Sequence, residues 1–278
     1  MFKGRRLVIA TKHEKEKVIA PLLEQALGVF CFVQDGFDTD SLGTFTGEIE
    51  RALDPVATAR QKCLLAMALS NCDLGIASEG SFGPHPSMFF VSADDEFLVF
   101  IDRKNDLEII VRELSTETNY NEREIETEKE LFDFAKLVKF PSHGLILCKS
   151  KNDMSAMSKG ITDEIQLKKA FKRLMDKSHS IYAATDMRAM FNPSRMAVIE
   201  NAAKKLAVKV NSCCPQCDIP GFGVTDAKKG LACGLCGSPT NSTLSFIYAC
   251  QKCGFTKEDM YPHQKTTEDP TYCDYCNP

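Results

Sequence analysis

The 278-residue chain is 44% hydrophobic and has a formal net charge of −4. It therefore has enough apolar residues for a core, and it lacks the basic excess that nucleic-acid binding favours. No apolar run of about 18 residues is present, which excludes a transmembrane helix, and the run Leu7–Ala10 is too short for a signal-peptide core. A cytoplasmic protein of one large or two smaller domains is expected.

The chain opens with the pattern of a βαβ unit. Arg6–Thr11 predicts a buried strand, Lys12–Leu27 an amphipathic helix and Val29–Val33 a second strand. Pro21 within the helix favours a break or a kink. The junction of strand and helix could bind an anion, or its charges could form an ordinary exposed helix surface. The candidate phosphate ligands at this junction are Thr11, Lys12, His13 and Lys15.

A polar, glycine-containing loop is predicted over Asp35–Arg51. It is too long for a simple connection, and long loops are often functional. Its carboxylates, hydroxyl groups and arginine suit Mg²⁺ and phosphate oxygens. Asp40 and Glu48 are therefore candidate catalytic residues, and Arg51 is a candidate phosphate ligand. The alternative is a surface loop that is ordered by local turns.

A second candidate site follows a helix that is predicted to begin at Asp54-Pro55 and to end near Ser70. The short apolar strand Leu74–Ala77 is predicted to break into a glycine-rich loop within Gly75–Pro86. Open α/β sheets usually bind ligands where a buried strand ends in such a loop. The alternative is a surface turn with solvated side chains. The candidate catalytic residues of this loop are Glu79 and His85.

The middle of the chain predicts a series of alternating strands and helices. In order, these are a hairpin of Glu96–Asp102 with Leu107–Arg112, a helix over Glu128–Val138, a strand over Leu145–Cys148, a helix over Thr162–Lys177 capped by Thr162, and a strand over Ile181–Ala184.

A third candidate segment, Thr185–Met196, precedes a helix that Pro193 can start. Its arginines could grip phosphate or carboxylate with paired hydrogen bonds. The alternative is an internal Asp–Arg pair that caps the helix and holds the loop. The helix is predicted to run to about Val210 and to close an α/β domain of residues 1–210. The candidates in this segment are Asp186 as a catalytic residue and Arg188 and Arg195 as phosphate ligands.

Residues 211–278 predict a second, cysteine-rich domain. The chain has 13 cysteines, and eight of them form four C-x-x-C pairs in this region. Two such knuckles can complete a tetrahedral Cys₄ zinc site, and metal would stabilise a segment with few apolar residues. Two structural Zn²⁺ ions are therefore predicted. Their ligands are Cys214, Cys217, Cys233, Cys236, Cys250, Cys253, Cys273 and Cys276.

The pairing of the four knuckles is left open between two arrangements. Neighbouring knuckles could share an ion, or the middle two could share one ion and the outer two the other. Four thiolates give each centre a formal charge of −2 and leave no open position for catalysis. A structural or partner-binding role is therefore favoured for this domain.

Two resemblances arise from these motifs. The stretches I-A-T-K-H-x-K-E, D-T-D-x-x-G-T-F-T-G-E, A-S-E-G-S-F-G-P-H-P, T-D-M-R-A-M-x-N-P-x-R-M and the final C-x-x-C-N-P look like an uncharacterised bacterial family of unknown function. That resemblance covers nearly the whole chain and implies no activity.

Residues 1 to about 210 are also similar, in the order of their elements, to the inosine/xanthosine triphosphate pyrophosphatase fold. Ala10–His13 stands at that family's phosphate motif, and Gly75–Gly80 stands at its acidic strand-end motif. The family's T-F-x-E-N-A-x-x-K-A segment is echoed by Gly43–Phe45 and, after an insertion, by Ala59–Lys62. The acidic motif has two carboxylates in the family and one here. The resemblance implies Mg²⁺ binding and activation of water near Glu79.

The fold expected from the sequence is an α/β domain, with a mixed sheet and flanking helices, followed by a double zinc ribbon. The leading hypothesis for function is a Mg²⁺-dependent hydrolase of a nucleotide or related phosphate compound. Glu79, with Asp40 or Glu48, would hold the metal and orient water. His85 or His143 could move protons.

Two alternatives belong to other functional classes. One is a non-enzymatic sensor of an anionic small molecule that contacts a partner protein through its ribbon. The other is a nucleic-acid-associated zinc-ribbon factor, against which the acidic balance argues. No membrane association is expected.

Overall fold

The computed structural model describes residues 1–34, 36, 53–151, 153, 156–176 and 178–278. These residues form two compact units, Met1–Ala207 and Val208–Pro278. The predicted fold class, α/β with a mixed sheet, flanking helices and a small cysteine-rich module, is confirmed. The described part contains no helix long and apolar enough to cross a membrane.

The first sheet of the N-terminal unit has the strand order β2-β1-β3-β4-β5. Strand β1 is parallel to β2 and β3, whereas β3, β4 and β5 pair antiparallel. The predicted βαβ unit is confirmed, and its helix runs through Pro21 without a break. The elements are β1 (Arg6–Ala10), α1 (Glu16–Leu27), β2 (Phe30–Val33), α2 (Pro55–Leu69), β3 (Leu74–Pro84), β4 (Ser92–Asp102) and β5 (Leu107–Ser115).

Helix α2 covers one face of this sheet. Its buried residues Ala59, Cys63 and Met67 pack against apolar side chains such as Ala77 and Val99. Asp54 caps the helix by accepting hydrogen bonds from the backbone N–H groups of the first turn, as the Asp-Pro signal predicts. Burial of this apolar face fixes which side chains of β3 and β4 point toward α2, because side chains alternate along a strand.

The prediction of a loop within Gly75–Pro86 is wrong as far as Pro84, and only His85 and Pro86 lie in a turn. Strand β3 continues to Pro84, and it pairs with β4 residue by residue from Leu74 to that proline. Long antiparallel pairing satisfies the backbone through the glycine-rich stretch. Gly75 serves close packing instead, because a Cβ there would lie 2.6 Å from Met67 Cγ.

A second sheet completes the N-terminal unit, with strand order β6-β9-β7-β8 and antiparallel pairing throughout. Its core is a cluster of buried apolar residues that includes Phe134, Leu147 and Leu167. The helix that begins at Glu164 is capped by Asp163, not by the predicted Thr162. The elements are β6 (Glu122–Ile125), α3 (Glu128–Leu137), β7 (Leu145–Cys148), β8 (Ser158–Ile161), α4 (Glu164–Met175) and β9 (Ile181–Thr185).

Helix α5 (Pro193–Asn211) follows β9. The C-terminal unit contains an antiparallel sheet of β10 (Gly223–Lys229), β11 (Thr243–Ala249) and β12 (Thr256–Met260). One C-x-x-C knuckle precedes β10, one follows β12, and one lies at each connection between strands.

Candidate active site and metal centres

Buried charged residues meet where β1 ends beside its parallel neighbour β3. Lys15 lies between β1 and α1, and its Nζ donates a hydrogen bond to Ser78 Oγ on β3 at 2.9 Å. Lys15 is only 7% exposed. The carboxyl ends of parallel strands lie at one edge of a sheet, so the end of β1 brings Lys15 to β3.

The next residue of β3, Glu79, points to the face that α2 covers. There Lys62 Nζ of α2 lies 2.8 Å from Glu79 Oε2, and both side chains are more than nine-tenths buried. Glu79 is thus held in a buried ion pair. The sequence motifs predict a role for Glu79 but none for Lys62.

On the opposite face, β4 contributes two carboxylates. Antiparallel pairing sets Glu96 opposite Gly80 and Asp94 opposite Phe82, so all four lie on the same face. Arg195 of α5 donates from Nε to Glu96 Oε1 at 2.6 Å. Its guanidinium also donates to the Met187 carbonyl and lies over the Phe82 ring, 4.9 Å from the ring centroid.

The close approach of this ion pair to β3 depends on Gly80. A Cβ at that position would lie 2.3 Å from Glu96 Oε1 and 2.6 Å from Arg195 Nη2. Any side chain there would displace the pair. The glycine that predicted a loop is therefore needed to seat an ion pair against the strand.

We call these six residues the buried charge cluster: Lys15, Lys62, Glu79, Asp94, Glu96 and Arg195. Their charges act on one another. Burial lowers the pKa of Lys15 to about 8, and the positive charges of Arg195 and Lys62 act in the same direction. The negative charges of Glu96 and Glu79 oppose this shift. The cluster is therefore one electrostatic unit.

Asp94 is the most unusual member of the cluster. It is fully buried, and neither of its carboxylate oxygens has a hydrogen-bond partner among the described residues. Burial, reinforced by the negative charge of Glu96, raises its pKa to about 8, although Arg195 and Lys15 act against the shift. A carboxyl group of this kind keeps its proton near neutral pH.

Asp186 and Arg188 form a local pair. The Arg188 guanidinium donates from Nε to Asp186 Oδ1 at 3.0 Å and from Nη2 to Oδ2 at 2.6 Å. Asp186 also accepts a hydrogen bond from the backbone N–H of Gly160 at 2.9 Å and is fully buried. The pair thus joins the loop after β9 to β8. This agrees with the alternative prediction for the segment, in which an internal Asp–Arg pair holds the loop. Its predicted part in phosphate binding stays a prediction.

The two histidines occupy different settings. His85 Nδ1 accepts hydrogen bonds from the backbone N–H groups of Ser87 and Met88 in the turn between β3 and β4. His143 is buried, with Nε2 2.9 Å from Ser194 Oγ at the start of α5. Burial lowers the pKa of His143. Both rings have hydrogen-bonding roles in local structure.

The remaining predicted residues fall in two groups. At the end of β1, Thr11 Oγ1 lies 3.4 Å from the backbone nitrogen of His13, Thr11 is buried and Lys12 is exposed. The other group is Asp40, Glu48 and Arg51, which lie outside the described residues.

A cavity of about 320 Å³ lies where the starts of α1 and α5 face each other. Apolar side chains form most of its wall, and Glu14 and Glu200 add two carboxylates. Glu14 directly precedes Lys15, and the wall residues Pro193 and Met196 flank the segment that carries Arg195. Its lining residues are Glu14, Ala189, Met190, Pro193, Met196, Ala197 and Glu200.

The cysteine knuckles form two four-sulfur groups in the described part of the chain. The first and third knuckles meet, with 3.7 Å between Cys214 and Cys253 Sγ. The second and fourth meet, with 3.7 Å between Cys236 and Cys273 Sγ. The observed pairing is therefore interleaved, and the two predicted arrangements, neighbouring and nested, are both wrong.

The geometry of each group fits zinc. Tetrahedral zinc with Zn–S bonds of about 2.3 Å places its sulfurs about 3.8 Å apart. The backbone also has the form of a metal knuckle. Gly237 and Gly254 have φ of 74°, and their N–H groups donate to the carbonyls of Cys233 and Cys250. Each four-cysteine group could therefore hold a zinc ion.

Fold and site together describe an α/β protein with a buried charge cluster and a two-centre cysteine module. A family model described as Domain of unknown function (DUF6671) matches residues 62–278. The chain belongs to that family. A search of curated proteins finds no match.

Proposed function

We propose that the N-terminal unit is a Mg²⁺-dependent hydrolase of a nucleotide or another phosphate-containing small molecule. The buried charge cluster is its active site. The observation that carries this proposal is the meeting of three cations and three carboxylates where β1 ends beside β3. Cations that could bind phosphate and carboxylates that could bind a hard metal ion thus lie in one cluster.

The cost of burying these charges favours a functional role. Removing an ion from water costs several kcal/mol, and apolar replacements for buried ion pairs are often equally stable. The unpartnered Asp94 adds to that cost. Strongly perturbed groups in one cluster mark functional sites more often than ordinary packing.

The cations would hold the substrate. Lys15 and Arg195 lie on the face of β3 that also carries Ser78 and Glu96, and their donors would bind phosphate oxygens. Phosphate would compete with Ser78 for Lys15 and with Glu96 for Arg195. Both side chains are already ordered by packing, so little conformational freedom would be lost on binding.

The carboxylates would serve the metal and the water. Glu96 Oε2 has no hydrogen-bond partner among the described residues, and carboxylate oxygens are the donors that Mg²⁺ prefers. When bound, Mg²⁺ would neutralise charge on the phosphate oxygens. Strand β1 pairs with β3 only as far as Ala77, so Glu79 lies beyond the last pair, at an edge of β3 that borders both faces. From the α2 side of this edge, Glu79 would orient the attacking water and accept its proton while a new phosphorus–oxygen bond forms and the bond to the leaving phosphate breaks.

The resemblance to the inosine/xanthosine triphosphate pyrophosphatase fold supports a nucleotide as substrate. The segment that echoes that family's lysine motif carries Lys62, which pairs with Glu79 at the place of the acidic motif. The apolar walls of the cavity beside Lys15 would suit a nucleotide base. Phosphate would thus bind at the buried charge cluster and the base in the nearby cavity, both within the N-terminal unit.

The test is release of phosphate and pyrophosphate from standard and damaged nucleoside triphosphates in the presence of Mg²⁺. Glu79→Gln is expected to lower kcat by at least about 100-fold, as the loss of a general base does. Asp95→Asn is the matched control. Asp95 lies between Asp94 and Glu96 and shares the face of Glu79, but its side chain is partly exposed and pairs with the exposed Arg112, so turnover should stay within about twofold.

Folding must be controlled in this test, because Glu79→Gln leaves Lys62 without its charged partner. The double variant Lys62→Met/Glu79→Gln removes both charges. Far-UV circular dichroism and zinc content would show that both proteins are folded. Full activity in either folded variant would refute the role of Glu79. Binding of nucleotides by wild type without turnover would instead favour a ligand sensor.

The cysteine module has a structural role in this proposal. Its two sites, fully liganded by sulfur, would stabilise the C-terminal unit and present it to a protein partner. Because thiolate zinc sites persist in reducing compartments, we place the protein in the cytoplasm.

A further inference from the structure

We propose that one of the two four-cysteine groups carries a docking surface for a basic segment of a protein partner. This group is formed by the second and fourth knuckles, and we call it the second cysteine group. Its docking surface, the knuckle patch, consists of Leu235, Tyr272 and Tyr275. The proposal rests on the partner-binding role of the cysteine module and not on the hydrolase, because the patch lies in the C-terminal unit.

Three large side chains of the knuckle patch are open to solvent. Leu235 is 73% exposed, Tyr272 67% and Tyr275 78%. Each of them directly precedes a cysteine of the second group, and the four sulfurs of that group lie within 4.8 Å of one another. The three side chains therefore surround one metal centre. Exposed apolar side chains that are grouped in this way mark interaction sites, whereas single ones are ordinary on a protein surface.

The group formed by the first and third knuckles differs at the matching positions. The residue before the second cysteine of each knuckle is Gln216 or Lys252 in that group, and Leu235 or Tyr275 in the second group. The aromatic side chains near the first and third knuckles pack inward around the buried Phe222. A four-cysteine site in this unit therefore folds without exposed aromatic side chains, and those of the knuckle patch serve another purpose.

The backbone holds the knuckle patch in place before a partner binds. The N–H of Gly234 donates to the carbonyl of Glu268 at 2.9 Å, which joins the second knuckle to the segment before the fourth. The N–H of Leu235 donates to Cys233 Sγ at 3.4 Å. A surface that is already ordered loses little conformational freedom when a partner binds.

The charge around the patch selects the class of partner. Residues 262–278 contain one lysine and three carboxylates. Lys265 Nζ lies 3.3 Å from Glu268 Oε1, which leaves the charges of Asp269 and Asp274. Zinc held by four thiolates would add a formal charge of −2. This negative field attracts cations and repels the phosphates of nucleic acids and anionic lipids.

The side chains of the patch fit arginine and lysine. A tyrosine ring attracts a cation over its face, so Tyr272 and Tyr275 would bind the charged groups of the partner. Leu235 would contact the aliphatic stem of the same side chains. Arginine is favoured over lysine, because its planar guanidinium is weakly hydrated and stacks on aromatic rings.

The experiment is fluorescence anisotropy of labelled octa-arginine titrated with the zinc-loaded full chain at about 0.15 M salt. Wild type should bind this probe. Tyr272→Ala/Tyr275→Ala should weaken binding at least about fivefold, as expected for the loss of two exposed cation–π contacts. Tyr272→Phe/Tyr275→Phe keeps both ring faces and should bind within about twofold of wild type.

Gln216→Ala is the matched control, because it changes the corresponding position of the other four-cysteine group and should leave affinity within about twofold of wild type. Zinc content and circular dichroism show that each variant is folded. If the double alanine variant loses zinc, Tyr275→Ala alone takes its place and should weaken binding at least about twofold.

Three results would overturn the docking surface. The first is no binding of octa-arginine by wild type, and the second is equal affinity of wild type and a zinc-loaded alanine variant. The third is a wild-type dimer in analytical ultracentrifugation that the alanine variant dissociates, since a second copy would then cover the patch. Turnover of nucleotides is measured separately: its absence would refute the hydrolase and leave peptide binding intact.

Discussion

Asp94 makes the stability of the protein depend on pH. The folded state raises the pKa of Asp94 from 3.8 to about 8. The folded protein therefore keeps this proton over a range in which the unfolded chain has released it. Stability from this group is fully present below about pH 4 and is lost as the pH rises to about 8.

Replacing Asp94 should remove this loss. We expect the free energy of unfolding of wild type to fall relative to that of Asp94→Asn by at least about 1 kcal/mol between pH 5 and pH 8.5. Urea unfolding followed by circular dichroism at several pH values measures the difference, in which contributions common to both proteins cancel. Asp95→Asn is the control. Parallel pH profiles for wild type and Asp94→Asn would contradict the burial of an uncompensated carboxyl group.

Gly80 allows a second residue-scale prediction. Gly80→Ala places a Cβ within 2.3 Å of Glu96 Oε1, so the Glu96–Arg195 pair must move. A loss of about 2 kcal/mol is expected, typical of overpacking at a buried site. Gly83→Ala on the same strand meets no atom within 4 Å and should change stability by less than about 0.5 kcal/mol. Equal urea midpoints for the two variants would contradict the close approach described here.

The sequence identified one half of the cluster. Lys15, Glu79 and Arg195 stand out because each follows or flanks an apolar strand at a motif-like position. Asp94 and Glu96 do not stand out in the sequence. Their position in the cluster depends on the register of β4 against β3, which brings together residues that are far apart in the chain. The available signal was alternation: Asp94, Glu96, Leu98 and Phe100 share one face of a strand.

At the scale of elements, the helices were easier to predict than the strand ends. Asp54-Pro55 and the apolar periodicity fixed α2, because capping and amphipathicity are local properties. Glycine and proline are typical of loops and predict too early an end for β3, whereas pairing with β4 carries the strand to Pro84. The short polar strands β6 and β8 have little periodicity, and their place in the sheet comes from β9 and β7.

The start of α4 provides a test of helix capping. Asp163 Oδ1 accepts a hydrogen bond from Gln166 N at 2.8 Å, whereas the predicted cap, Thr162, is exposed. Asp163→Ala should lower the free energy of unfolding by about 1 kcal/mol. Thr162→Ala should cost less than half as much. The reverse order in urea unfolding would restore the sequence-based assignment.

At the scale of the C-terminal unit, the interleaved metal pairing follows from the sheet. The strands β10, β11 and β12 run antiparallel. The start of β10 and the end of β11 therefore lie at the same end of the sheet, where Gly223 pairs with Ala249. The first and third knuckles lie there. The end of β10 and the end of β12 lie at the other end, with the second and fourth knuckles. Spacing of cysteines alone could not give this result, since it depends on strand direction.

Cadmium substitution tests the pairing directly. Protein loaded with ¹¹³Cd should give two resonances in the range of sulfur-only coordination. Cys214→Ser and Cys250→Ser should shift or abolish the same resonance, because these residues belong to one group. Cys233→Ser and Cys273→Ser should affect the other. If Cys214→Ser and Cys233→Ser altered one common resonance, neighbouring knuckles would share an ion, and a resonance common to Cys214→Ser and Cys273→Ser would indicate nested pairing.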